Sequence, residues 1–288
     1  SSEGKNRASL SNQSDFSWTL DNLIYYDKEF GKHSVGLTLL QSATGYHYEE
    51  SSMAAEGIPL ESAKWNALSK ENVSLLDEWN SGLIEKQLLS YMFRVNYDYN
   101  NKYLLTVSGR WDGASQLAEG NKWAFFPSAA LGWRLDQEEF LKDVTWLNQL
   151  KFRLGVGVTG NSAIDPYQTK GAIVSLYYPF GSALAPGYAA SEPLIKDGAV
   201  AMANKDLSWE KTTQYNIGLD YSVLNGRISG VLDFYTSRTT DLLMAMTIPS
   251  LNGYTNTYAN VGKTSNIGVD ITLNTVNVKT RDFEWSTS

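Results

Sequence analysis

The run LSYMFRVNY, residues 89–97, alternates without a break: Leu89, Tyr91, Phe93, Val95 and Tyr97 share one face, and Ser90, Met92, Arg94 and Asn96 share the other. Period two is the mark of an extended strand whose faces meet different surroundings. A polar stretch, Asp98 to Lys102, reverses the chain. YLLTVSGRWD, residues 103–112, then repeats the pattern, with Tyr103, Leu105, Val107, Gly109 and Trp111 opposed to Leu104, Thr106, Ser108, Arg110 and Asp112. The two runs predict a β-hairpin.

The same alternation extends in both directions. It covers Trp123 to Leu135, Leu150 to Thr159, Thr213 to Tyr221, Arg227 to Tyr235 and Asn266 to Leu273, with an earlier hairpin at Phe16 to Tyr26 and Val35 to about Tyr46. Phe283 to Ser288 opens a last strand, for about ten in all. Connections alternate as well. Short ones fall near 27–32, 98–102, 224–226 and 278–282, and long ones near 49–83, 113–122, 160–211 and 237–265. One short helix is expected near 136–148, where Phe140, Val144 and Leu147 take helical spacing behind an Asp136 and Glu139 start.

Tight turns at one end and long loops at the other are the plan of an all-β, antiparallel, up-and-down transmembrane β-barrel. The rival reading is a secreted, lectin-like sandwich whose loops hold a glycan, because both architectures put one apolar face on each strand. Three features favour the membrane. The runs are of about 9 to 11 residues, the length that crosses a bilayer at a tilt, whereas soluble strands average about 5 to 6. No charge falls on the apolar face of the seven clearest strands, while the opposite face carries Arg94, Arg110, Asp112, Arg134, Lys151, Arg153, Asp220, Arg227, Asp233 and Asp270. A charge on the lipid side would cost roughly 2–4 kcal/mol near the midplane. Finally, Tyr97, Tyr103, Tyr221, Trp111, Trp133 and Tyr215 sit near row ends, as interfacial girdles require.

Composition narrows the function. Among 288 residues, 24 basic against 31 acidic side chains leave a net charge of -7, the wrong sign for a nucleic-acid binder. The absence of cysteine removes disulfides, thiolate metal sites and a cysteine nucleophile. Nine Trp, 17 Tyr and 10 Phe suit β structure and sugar-binding or interfacial surfaces.

Four blocks carry a family resemblance: YLLTVSGRWDGASQLAEGNKWAFFPSAALGWRL, FLKDVTWLNQLKFRLGVGVTGN, NKDLSWEKTTQYNIGLDYSVLNGRISGVLDFYTSRTTDLL and NVGKTSNIGVDITLNTV. In this order they cover most of Leu88 to Ser288, and they resemble the SusC/RagA family of TonB-linked outer-membrane proteins. The resemblance implies a plugged barrel of about 22 strands that imports glycans or peptides. It also implies energy from the TonB complex and a SusD-like surface lipoprotein as lid. No TonB-box segment, plug or closing strand is found, so residues 1–288 are expected to be a partial barrel domain of an integral protein of the Gram-negative, Bacteroidetes-like outer membrane.

No constellation of residues points to catalysis, a cofactor or a metal, and no enzymatic activity is expected. GVGVTG matches G-x-G-x-x-G at Gly155, Gly157 and Gly160, but it follows an alternating strand and no helix opens after it to hold a pyrophosphate. His33 and His47 have no third nitrogen ligand near them in sequence. Two sets of residues remain as candidates. Trp79, Tyr177, Tyr178, Tyr188, Tyr254 and Tyr258 lie in or beside the long loops, where rings would stack on a substrate or meet a partner. Trp65 is placed there too, and Trp209, within LSWE, reads as structural. Arg94, Arg110, Arg153, Asp220 and Asp233 fall on the inward face, where they would shape the passage or contact a plug.

Overall fold

The computed structural model describes residues 6–58, 61–68, 75–170, 174–180, 183–189, 201–249 and 256–288. In chain order the strands are β1 (Arg7–Phe30), β2 (His33–Glu56), β3 (Leu75–Tyr99), β4 (Tyr103–Ala114), β5 (Trp123–Arg134), β6 (Leu147–Asn161), β7 (Val174–Phe180) and β8 (Ala183–Ala189). They continue with β9 (Ala201–Met202), β10 (Glu210–Val223), β11 (Ile228–Thr240), β12 (Leu243–Thr247), β13 (Asn256–Asn260), β14 (Lys263–Lys279) and β15 (Glu284–Thr287). Ten of them form one open sheet in the order β1-β2-β3-β4-β5-β6-β10-β11-β14-β15. From β4 to β15 every neighbouring pair is antiparallel. The remaining strands lie in the long connections, β7 with β8 and β12-β13-β9. The chain divides into two compact units, residues 21–42 with 89–288 and residues 1–20 with 43–88.

In the larger unit, local chemistry sets the tight turns. Gly31, at φ 64°, takes the first position of a two-residue turn between Phe30 and His33, where a β-carbon would be strained. Asn100 and Asn101 supply left-handed conformations at the next turn, and the Asp98 carboxylate accepts the Asn101 N–H at 2.7 Å. Leu224, Asn225 and Gly226, all at positive φ, close β10 onto β11. The helix expected near 136–148 takes the form of two single 3-10 turns, Leu135–Gln137 and Glu139–Leu141. Glu138 between them is extended (φ -82°, ψ 146°), which breaks the helical hydrogen-bond ladder. Its side chain is committed elsewhere, as shown below.

The alternation becomes two physically different faces. Outward rows expose Trp111, Leu131, Phe234 and Val269, and Ile267 reaches 81% exposure. A sandwich would cover such a face with a second sheet. Among the described residues no second large sheet covers it, which suits a surface solvated by lipid. Among the described residues of this unit, the buried apolar side chains concentrate at the loop end: Ala114, Leu117, Ala118, Ala124, Phe126, Ile164, Leu207 and Trp209. The Trp209 indole N–H donates to the Lys122 carbonyl at 2.9 Å, and its ring meets Phe126 edge-on at 5.2 Å.

In the smaller unit, β1, β2 and β3 run on well past the expected strand ends, reaching 24, 24 and 25 residues in full. Much of the loop expected at 49–83 is therefore strand, with a 3-10 segment at Glu61–Ala67. Asn6 and Ile58 exchange two hydrogen bonds, at 2.8 and 2.9 Å, beside buried Ala54 and Ala55.

Candidate functional site

The inward face of β5, β6, β10, β11 and β14 carries its charges in two adjacent cross-strand rows. Register places Gly132, Arg153, Gly218, Asp233 and Asp270 in one row, and Arg134, Lys151, Asp220, Val231 and Thr272 in the next. The cations thus stand on β5 and β6, and the anions on β10, β11 and β14. A third row, Ser108, Ser128, Gly157, Gln214, Ser237 and Asn266, is neutral and polar, with the Ser108 and Ser128 hydroxyls 2.6 Å apart.

Arg153 is the hub. Its Nε donates to both Asp220 oxygens at 3.0 Å, and its terminal nitrogen donates to Asp220 at 2.8 Å and to Asp233 at 3.1 Å. Charge-assisted forks of this kind are the strong hydrogen bonds of proteins. Gly218 stands between Arg153 and Asp233, and a β-carbon there would come within 2.7 Å of the guanidinium carbon and collide with Asp233 Oδ1. The missing side chain is what lets the arginine reach across a whole strand. Arg110 makes a second, smaller pair: its Nε donates to the Asp112 carboxylate at 2.7 Å and its terminal nitrogen to Ser90 Oγ at 2.9 Å. Arg94 is exposed. Register, which the sequence alone does not give, is what brings Arg153, Asp220 and Asp233 together.

The loop aromatics are distributed over different sheets. Trp79 lies on β3, while Tyr177 and Tyr178 on β7 and Tyr188 on β8 belong to a separate hairpin. Tyr258 on β13 stands opposite Ala245, half-buried, and its carbonyl accepts the Asn204 amide at 2.8 Å. Tyr254 lies outside the described residues. Trp65 is exposed beneath the Lys64 ammonium, 5.5 Å from its ring. The histidines have protein partners: His33 Nδ1 lies 2.7 Å from the Tyr97 hydroxyl, and His47 lies between Glu85 and Glu49, 3.1 Å from each.

One polar cluster has no signal in the alternation. At the short-turn end the Glu138 carboxylate accepts the Tyr103 hydroxyl at 2.7 Å, the Trp133 indole N–H at 3.0 Å and the Lys102 ammonium at 3.1 Å. These donors hold it well below the ordinary carboxylate range, at about 2. Its partners belong to a row of rings, Phe30, His33, Tyr99, Tyr103 and Trp133, each 5.0 to 6.4 Å from the next. Nearby, burial opposes the charge of Asp136, but hydrogen bonds from Arg134, Gln137 and the Leu150 N–H outweigh it and lower its pKa.

An outward apolar belt, aromatic rows at its margin and a polar, charged opposite face together define one wall of a transmembrane β-barrel. The family model described as TonB dependent receptor-like, beta-barrel matches residues 2–288, and the chain belongs to that family. Within it the chain is of the SusC/RagA type. It is 39% identical over 235 residues to the TonB-dependent receptor SusC of Bacteroides thetaiotaomicron, a match covering 78% of this chain and 22% of the relative. It is 34% identical over 275 residues to TonB-dependent receptor P26 of Formosa agariphila, covering 94% and 26%. The structure of the RagAB peptide transporter superposes with a TM-score of 0.83 at 25% identity, covering 96% of this chain and 29% of that one. The chain thus spans about a quarter of the length of these relatives.

Proposed function

We propose that this chain forms part of the barrel wall of an importer that draws glycan fragments or peptides through the outer membrane of a Gram-negative bacterium. TonB supplies the energy, and a SusD-like lipoprotein covers the outer mouth. The single observation that carries the reading is the contrast between an uncovered apolar outer face and an inner wall of paired charges and neutral polar rows, the arrangement of a hydrated passage through lipid. The names of the relatives support it, since one neighbour is a peptide transporter. The family is one of transport receptors, and the residues of the inner wall act by binding and orienting solutes, with no reaction step.

Uptake in cells carrying the full-length gene tests this. Deletion should abolish entry of one class of fluorescent oligomer, oligosaccharide or peptide, and the wild-type gene should restore it. An antibody to the loop within 160–211 should label intact cells. Recovery of the full-length protein in the soluble secreted fraction would overturn the reading and restore the lectin-like module.

A further inference from the structure

Two amides occupy the outward face where the bilayer leaves little place for them. Asn22 on β1 and Gln41 on β2 face each other, and Asn22 Nδ2 donates to Gln41 Oε1 at 2.7 Å. They line a groove of about 540 Å3 whose other side chains are almost all apolar, with walls formed by Ile24, Leu39, Phe93, Trp111 and Phe125. Its floor is a notch at Gly109, where a β-carbon would lie 2.6 Å from both the Phe93 and the Phe125 ring. The volume falls within the roughly 300–1,000 Å3 of ordinary ligand sites.

The groove has a polar end and an apolar end. On β1 and β2 the amides lie two residues farther from the Gly31 turn than Ile24 and Leu39. On β4, Trp111 likewise lies two residues beyond Gly109, on the loop side. Eight residues separate Trp111 from Tyr103, about 27 Å along a strand at roughly 3.4 Å per residue. With a tilt of about 40° this becomes about 20 Å across the membrane, close to the apolar band of about 25 Å in such barrels. Trp111 therefore marks the outer margin of the hydrocarbon, and the amides lie at the same end of the groove.

One mutual hydrogen bond leaves the second Nδ2 hydrogen of Asn22 and both Nε2 hydrogens of Gln41 without a protein acceptor in that bond, and unsatisfied polar groups in lipid are expensive. No cationic side chain lines the groove, so a phosphate finds no partner there. A neutral carbonyl does. We propose that the groove is a specific lipid site: Asn22 and Gln41 donate to the acyl ester carbonyls of an outer-leaflet lipid, and one of its chains runs down over Gly109 between Phe93 and Phe125. This rests on the lipid-facing orientation of the outer rows and is independent of what the importer carries.

The test uses the full-length protein in detergent, with lipid A, the acylated glycolipid of the outer leaflet, added, and native mass spectrometry under rising gas-phase activation. One lipid should outlast the others on the wild type. The double variant Asn22→Leu with Gln41→Leu should retain it roughly five- to tenfold less, the effect of one or two net hydrogen bonds. The swapped variant Asn22→Gln with Gln41→Asn should keep it. Equal retention by the leucine variant and the wild type would overturn the site, as would a change of oligomeric mass in place of lipid loss, which would make the groove a contact between copies. A measurement on the wild type alone guards against misfolding of the variants. A lipid with a diazirine-bearing acyl tail should crosslink preferentially to peptides carrying Phe93 and Phe125, and a yield no higher there than at the second outward groove, by Leu131 and Leu154, would also overturn it.

Discussion

The two ends of the large sheet are held by different physics. At the loop end, Leu117, Leu207 and Trp209 are withdrawn almost completely from solvent and fasten the start of β10 against the β4–β5 connection. At the short-turn end, Tyr103 and Trp133 stay exposed, and order comes from ring-to-ring contact and from the Glu138 carboxylate that gathers their polar tips. The difference follows from the surroundings. Long loops in water must build a core of their own, whereas residues at a membrane margin lie between lipid and water and gain by presenting an apolar ring with a satisfied polar tip.

If that contrast is right, the loop end should fail first when its core is cut. Trp209→Ala in the full-length protein is expected to cost about 3–5 kcal/mol of local stability. Hydrogen exchange should show protection lost at residues 114–126 and 201–210, with the short-turn end unchanged. Loss spread evenly over the sheet would erase the distinction. On the inner wall, Arg153→Met leaves two aspartates on neighbouring strands without their cation. The pair is partly solvated, so the expected loss is about 1–3 kcal/mol, below that of a fully buried pair. Arg110→Met strands only Asp112 and should cost about half as much. Comparing denaturant midpoints of the two variants gives the ratio.

The smallest effect is a titration. The folded pKa of Glu138, about 2, lies below the ordinary 4.5, so its contribution is complete above pH 4.5 and fades as the pH falls toward 2. Wild type should therefore be more stable than Glu138→Gln at pH 6, and the gap should close between pH 4.5 and 2. A gap independent of pH would mean that the carboxylate acts only as a hydrogen-bond acceptor of fixed shape.

Legibility in the sequence followed the contrast between faces. Where one face is apolar and the other polar, as in LSYMFRVNY, alternation located strands and turns closely. It is silent where apolar residues are scarce: SLSNQSD, residues 9–15, gives no period, so the outer reach of β1 has no signal. Strand β9 was hidden because its pairing joins Ala201 to Asn256 across a long separation that local pattern does not encode, whereas the apolar run DLLMAMTIPSLNGY, residues 241–254, did mark an outward extension of a hairpin, and β12 there pairs with β13. The inner wall was half legible. Arg153, Asp220 and Asp233 could each be assigned to the inward face, but their meeting depends on register and on the space left by Gly218. Glu138 was hidden for another reason, since it sits in a turn where periodicity carries no information.

The segregation of inner charges has one more consequence. Arg134, Lys151 and Arg153 stand on one side of the wall and Asp220, Asp233 and Asp270 on the other, so the monopole nearly cancels while a transverse dipole survives. The direction of the field, and not its net charge, is therefore the main electrostatic property of this wall, and salt at physiological strength screens it over about 8 Å.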